Sequence, residues 1–508
     1  MNSQIDNHRI AKNTVFLYVR MIIIMLVSLF TSRIVLGVLG VDDFGIYNIV
    51  GGIVAMFQFI GNTLTDATQR YLTVEIGKGK QGNTNKIFSI CVILHILLGL
   101  VVIVIAEPIG LWFLHYKLLI PPDRMVASEW LFQFSIISMF VMFISVPYNA
   151  LIIAHERMRA FATISIIDAA AKLIIAYSLI LIGSIDKLVL YGLLILLLQI
   201  LMRFIYNGYS IRHFKESRFH WNWDKNLIKD IGKFASWIVI GNMAMMCITH
   251  GISLLLGMFF MPAVNAARGL ATQVESAVKM FTRNFQTAMN PQITKSYASG
   301  QIEDMNQLVF RGARFSSFLL LIPIIPIFFE IEILLRLWLP EVPQYTSAFV
   351  RLILFTAWIN SFGNTLAVAA KATGNIKKFE LYVVSIRLLV LPLGYLCLRN
   401  GMHPASVFWI YMFAEMAVQC SNVYVTHFLT KFQVKSYVKH VLFPSIKVTL
   451  ISILPPIMIH TLMPEESASR LLFTVILCTV TTLSTIFLIG MTQSEQEIIG
   501  SKLKHLIK

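Results

Sequence analysis

The sequence predicts an all-α, polytopic transmembrane helical bundle of about 14 spans, built as two pseudo-repeated six-helix bundles plus two C-terminal helices. Three observations carry this expectation. The 508 residues are 57% hydrophobic and only 13% charged, with a mean hydropathy of +0.73, a balance foreign to soluble domains. Apolar stretches such as Val15 to Val38 and Leu188 to Leu201 recur along the chain at lengths near the roughly 20 residues that cross a bilayer. About 14 spans of about 21 residues use roughly 300 positions, so connections are short and no separate soluble catalytic domain fits.

The polar start, Met1 to Lys12, leads into an apolar run interrupted by Arg20. No small-residue cleavage pattern follows, which makes this a retained first span rather than a signal peptide. Spans centred near Met25, Val54, Gly99, Met139, Ala176 and Leu194 form the first bundle, residues 1–210. Residues 211–230 mix Phe214, Phe219, Trp221 and Trp223 with basic side chains, the composition of a cytoplasmic interfacial linker. Spans near Ala244, Val274, Leu320, Ala357, Val390 and Ala414 form the second bundle, residues 231–430. Residues 431–508 add two helices, near Ser452 and Val480, and a basic tail that either lies on the membrane or frays into solvent. A shift of about 220 residues superposes Leu36-Gly37 on Leu256-Gly257. The plan repeats rather than the residues, and a two-bundle plan of this kind places a site between its halves.

The formal charge of +16 would suggest nucleic acid as a partner of a soluble protein, but here it reflects basic cytoplasmic loops. With the amino end inside, about 22 basic residues fall in inward loops and about six in outward ones, so both termini are expected in the cytoplasm. The five cysteines lie in apolar runs without paired or metal-ligand spacing and read as small core residues. No cofactor or metal is expected. No glycine loop with Lys and Ser/Thr that would hold ATP phosphates is found, and the short outward loops carry no acid/base or nucleophile cluster, so the chain is not read as an enzyme.

Ionisable residues inside the spans need a reason, because a charge at the bilayer centre costs at least about 3 kcal/mol. In the eighth span Arg268, Thr272, Glu275, Lys279, Thr282, Arg283 and Gln286 share an arc of about 100°. In the second, Asn48, Asn62, Asp66, Gln69 and Thr73 share about 60°. Arg20 aligns with Asn13 and Thr31 on the first span. The candidate ion-coupling carboxylates are Asp66, Asp168, Glu275 and Glu415, the last on one face with Gln419 and Asn422. Glu275 with Lys279 and Asp168 with Lys172 are also i,i+4 pairs that can neutralise each other. A structural role for Asp168 therefore stays open, as does the choice between H+, Na+ and no coupling ion.

Ser32-Arg33-Ile34-Val35-Leu36-Gly37, followed by Leu39-Gly40-Val41-Asp42-Asp43-Phe44-Gly45-Ile46-Tyr47, resembles the opening of the Wzx-type polysaccharide flippases of the multidrug/oligosaccharidyl-lipid/polysaccharide exporter superfamily. The loops Ala154 to Arg159 and Ala372 to Lys378 resemble that family's cytoplasmic loops. The resemblance implies a V-shaped pair of bundles that alternates its access. The implied cargo is an undecaprenyl-diphosphate-linked oligosaccharide, carried across the bacterial inner membrane for O-antigen (lipopolysaccharide), capsule or exopolysaccharide assembly. Hiding a diphosphate from hydrocarbon calls for a basic interior. Arg20, Asn48, Asn62, Arg268, Lys279 and Arg283 are therefore the candidate substrate-binding residues, with membrane lipid as surroundings and a monomer as the expected working unit. A cation-coupled multidrug antiporter is the nearer alternative, and a membrane-embedded glycan polymerase or ligase the more distant one.

Overall fold

A computed structural model describes residues 7–77, 82–155, 157–183, 186–221, 224–373 and 376–497. Among these the regular structure is helical, with no strand. The helices are α1 (Asn7–Gly77), α2 (Thr84–Tyr116), α3 (Met125–Ala154), α4 (Met158–Leu181), α5 (Lys187–His213), α6 (Lys225–Phe259) and α7 (Pro262–Ala298). They continue with α8 (Ile302–Phe329), α9 (Ile331–Trp338), α10 (Thr346–Ser361), α11 (Asn364–Ala372), α12 (Ile376–Leu388), α13 (Val390–Arg399), α14 (Ser406–Thr430), α15 (Val434–Tyr437), α16 (Phe443–Leu462) and α17 (Ala468–Thr485). Every span centre expected from the sequence lies in one of them. Among the described residues ten helices are long and apolar enough to cross a membrane. Large apolar side chains stay exposed on their outer faces, including Val104, Ile174, Phe204, Phe428, Leu454 and Leu472. Water would not tolerate so extensive an apolar surface, whereas lipid does.

The chain forms two compact units, residues 1–266 and 267–508. In the first, α1 would be far too long for one crossing, and it breaks at Gly40 (φ 79, ψ 173), a conformation that glycine reaches without a Cβ clash. The segment after the break packs tightly: a Cβ on Gly45 would lie 2.0 Å from the carbonyl oxygen of Pro262. The loops at this end are clamped by Arg124, which donates to Asp43 at 2.7 and 2.5 Å and to Asp186 at 2.6 Å. Asp186 in turn caps α5 by accepting the N–H groups of Leu188 and Val189. Burial pushes the Asp186 carboxyl up, but the Arg124 hydrogen bond and charge and the two N–H groups outweigh it and hold the group below the usual carboxylate range.

The expected linker is shorter than residues 211–230, because α5 runs to His213 and α6 begins at Lys225. The turn between them docks on its own unit. Asn85 donates to the carbonyls of Glu216 and Arg218, His155 meets Glu216 at 2.6 Å, and Lys86 meets Asp224 at 2.7 Å. Its aromatic residues divide: Phe214 is buried and stacked on His155, while Phe219 and Trp221 are exposed. Trp223 lies outside the described residues.

In the second unit, α8 is the post against which α16 and α17 pack. Two buried ionic clusters fix that pair. Near the middle of α8, Arg314 donates to both oxygens of Glu495 at 2.7 and 2.6 Å. At its far end the fully buried Glu330 accepts from Arg470, Thr474 and His460. His460 thus joins this cluster. The cysteine expectation needs one correction: Cys91 and Cys478 are buried, but Cys420 is exposed. Its position on α14 turns toward the surface where lipid makes an apolar side chain cheap. The tail beyond 497 lies outside the described residues.

Candidate functional site

In the second unit the α7 stripe borders a cavity of about 340 Å³ lined by Lys279, Arg283, Gln286, Asn290, Asn360 and Asn364, among others. Two basic groups and several carboxamides reach it, and none of the described residues that line it is acidic. Arg283 is exposed, whereas Arg268, about four turns earlier on α7, is buried within electrostatic reach of Glu275 and Tyr411. Lys279 meets Glu275 at 2.5 Å, so the i,i+4 pair anticipated on this face is formed. Thr272 and Thr282 return their hydroxyls to carbonyls of their own helix.

A chain of polar contacts runs from this cavity across α10 and α14. Gln286 accepts from Asn364 and donates to Ser316 at 3.2 Å. Tyr411 hydrogen-bonds Asn360, which also accepts from Gln419 at 3.2 Å, and Asn422 donates to Gln419 at 3.1 Å. Glu415 is fully buried and accepts two bonds from Arg387 of α12, at 2.7 and 2.9 Å. Gln419 thus bonds α10 while Glu415 meets α12, and the carboxylate already has a cation.

The first unit gathers a second basic group from α1, α3, α4 and α5. The Arg20 guanidinium sits 4.4 Å from the centre of the Phe161 ring, and that of Arg203 4.2 Å from the Tyr148 ring, distances at which a cation is drawn to an aromatic face. Asp168 is bonded to Lys172 at 2.8 Å. Tyr206 lies near both Arg20 and Asp168 and bonds Ser165. Nε of Arg20 and Nη1 of Arg203 are buried and find no acceptor among the described residues. A buried donor without an acceptor carries a desolvation cost that an incoming anion would relieve.

The remaining candidates differ. Asn48 donates to the carbonyl of Phe44 at 2.7 Å, so its amide is held by its own helix. The side chains of Asn62 and Asp66 lie outside the described residues. Arg203, Arg387, Tyr411, Asn360 and Asn364 were not singled out in the sequence. Arg203 and Arg387 carried a usable signal, since each is an arginine inside an apolar run. Asn360 and Asn364 are one helical turn apart in sequence yet belong to two helices, α10 and α11.

Residues 238–396 match the MatE family. No curated protein matches the sequence. Among solved structures, the chain is similar to the lipid II flippase MurJ in an inward closed conformation, at 12% identity and a TM-score of 0.72, over 93% of this chain and 98% of that one. It is similar to an inward-facing multidrug resistance MATE family transporter of the MOP superfamily at 13% identity and a TM-score of 0.65, over 84% and 99% of the two chains. The MATE multidrug transporter DinF-BH aligns at 13% identity and a TM-score of 0.61, over 85% and 98%. These likenesses establish the fold, that of multi-pass MurJ and MATE transporters. The two MATE alignments cover a share of this chain about equal to the part that ends with α14, whereas 93% requires residues of the C-terminal helix pair as well.

Proposed function

We propose that this protein is a flippase that moves an undecaprenyl-diphosphate-linked oligosaccharide from the cytoplasmic to the outer leaflet of a bacterial inner membrane by alternating access. The observation that carries the reading is the pair Arg20 and Arg203, two guanidinium groups held on aromatic faces inside the first unit with buried N–H groups that lack an acceptor among the described residues. The nearby carboxylate, Asp168, is taken by Lys172. Buried N–H groups of this kind favour an anion, and guanidiniums suit diphosphate oxygens through parallel hydrogen bonds. The basic cavity on α7 adds Lys279 and Arg283 in the second unit. The fold extent shared with a lipid flippase beyond α14 supports the same reading.

A multidrug antiporter remains the alternative because the fold is also that of MATE transporters. It would need an acidic or aromatic site for cations and a carboxylate able to exchange a proton or Na+. Asp168, Glu275 and Glu415 each have a basic partner, and releasing any of them for coupling would first break a pair. The fourth candidate is Asp66. We give the three paired carboxylates a structural role and leave the cargo's gradient or a cation to drive transport.

Deleting the gene tests the proposal. Surface glycan of long chain length should fall sharply while lipid-linked repeat units accumulate on the inner leaflet, and drug tolerance should be unchanged. Intact glycan with altered drug tolerance would assign the chain to the antiporters instead.

A further inference from the structure

The first unit also contains a cavity of about 250 Å³ bordered by α1, α3 and α5. Its walls are three rows of side chains recurring at intervals of three and four residues, one row from each helix, as expected where three helix faces surround one hole. Tyr47, Gln58, Ser135, Ser138 and Gln199 bring phenol, carboxamide and hydroxyl groups to it, and none of the described residues that line it is charged. Polar groups at this depth are costly in an apolar segment such as Leu196 to Leu201 and need partners. The Ser138 hydroxyl is buried and has no partner among the described residues. Ser135 donates to the Leu131 carbonyl at 2.7 Å, which leaves its oxygen able to accept. The Tyr47 ring is steadied edge-on by Tyr191, with centroids 5.1 Å apart. The floor is Gly51, beside which an added Cβ would meet nothing within 4 Å.

We infer that this cavity is a subsite for one neutral pyranose ring of the cargo. The inference rests on the oligosaccharide reading and assigns part of the recognition that the basic clusters do not supply. Charge argues for it: among the described residues that line it, a diphosphate would find no cation and a cationic drug no carboxylate. Size argues likewise, since about 250 Å³ is below the roughly 300–1,000 Å³ that drug-sized ligands fill. A pyranose offers hydroxyls that both donate and accept, which matches two carboxamides and two serine hydroxyls, and an apolar ring face that can lie on glycine and tyrosine.

The test uses the full-length protein in nanodiscs, with neutral methyl pyranosides (gluco, galacto and manno) as probes in saturation-transfer NMR. The wild type should transfer magnetisation to ring protons of at least one probe. Gly51→Leu adds a side chain at the open floor, where a Cβ meets nothing within 4 Å, and should abolish the signal, a loss of about tenfold or more, while the melting temperature stays level or rises because glycine leaves a helix interior. The Gln58→Leu, Gln199→Leu double variant, which removes the carboxamides without narrowing the space, should show the same loss. Undiminished transfer in both variants, or none in the wild type, overturns the assignment. The parent reading fails separately: sugar binding in the wild type together with intact surface glycan in the deletion strain would keep the pocket and remove the flippase. Loss of glycan in the deletion strain together with normal export by both variants would do the reverse.

Discussion

Replacing Arg387 by Met isolates the energetics of the second unit's polar interior. Glu415 is 0% exposed and the Arg387 side chain 19%, and the two share hydrogen bonds of 2.7 and 2.9 Å. Removing the guanidinium leaves a carboxylate with no water to solvate it, the situation in which breaking a buried pair costs about 3–5 kcal/mol. The partial exposure of Arg387 places the expected loss at the lower end, about 3 kcal/mol, or roughly two orders of magnitude in the folding equilibrium. Adding Glu415→Gln removes the stranded charge. The double variant should recover most of the loss, because replacing both members of a buried pair is often neutral or stabilising. Thermal or denaturant unfolding in detergent micelles reads both effects. Equal stability of Arg387→Met and the wild type, or no recovery in the double variant, would refute the view that this contact is a desolvated structural pair. If the double variant keeps its stability and still exports glycan, Glu415 has no coupling role.

Arg268→Ala and Arg283→Ala should each lower glycan export several-fold at normal protein level, and Lys at the same positions should rescue only in part because it lacks the two-pronged donor; normal export by the double alanine variant would move the α7 stripe to a structural role. Substituted-cysteine labelling from outside should reach Pro121 but not residues 212–221, and labelling of the latter would reverse the orientation inferred from the basic loops. Acid should loosen the clamp around Arg124: the folded-state value of Asp186 is depressed, so its contribution is full above the unfolded value near about 3.9 and is lost as pH falls through the folded one. Asp186→Asn should flatten that acid limb in a melting-temperature series taken from neutral pH downward.

The helical plan was legible because the bilayer imposes it. Length and apolarity fix where a helix must run, and each expected centre, from Met25 to Val480, falls in a helix. Within the polar interior, contacts inside one helix could be read and contacts between helices could not. The pairs Glu275 with Lys279 and Asp168 with Lys172 follow from spacing alone and are present. Arg387 with Glu415, Arg203 with Tyr148 and Arg314 with Glu495 join residues 28, 55 and 181 positions apart, and periodicity on a single helix has no access to such partners. Asn48 shows another limit: periodicity places it on the favoured face but does not show that its amide also donates to its own backbone.

Translocation in a defined membrane tests the central claim most directly. The full-length protein would be reconstituted in liposomes carrying a short undecaprenyl-diphosphate-linked oligosaccharide, with a glycosidase added outside to trim whatever sugar reaches the outer leaflet. The flippase reading predicts that trimming proceeds to near completion with the wild type and stops at the initial outer-leaflet fraction with Arg20→Ala, Arg203→Ala, at equal reconstitution and melting temperature. Trimming that stops at the outer-leaflet fraction for the wild type too, while the same vesicles move a cationic dye, would contradict it.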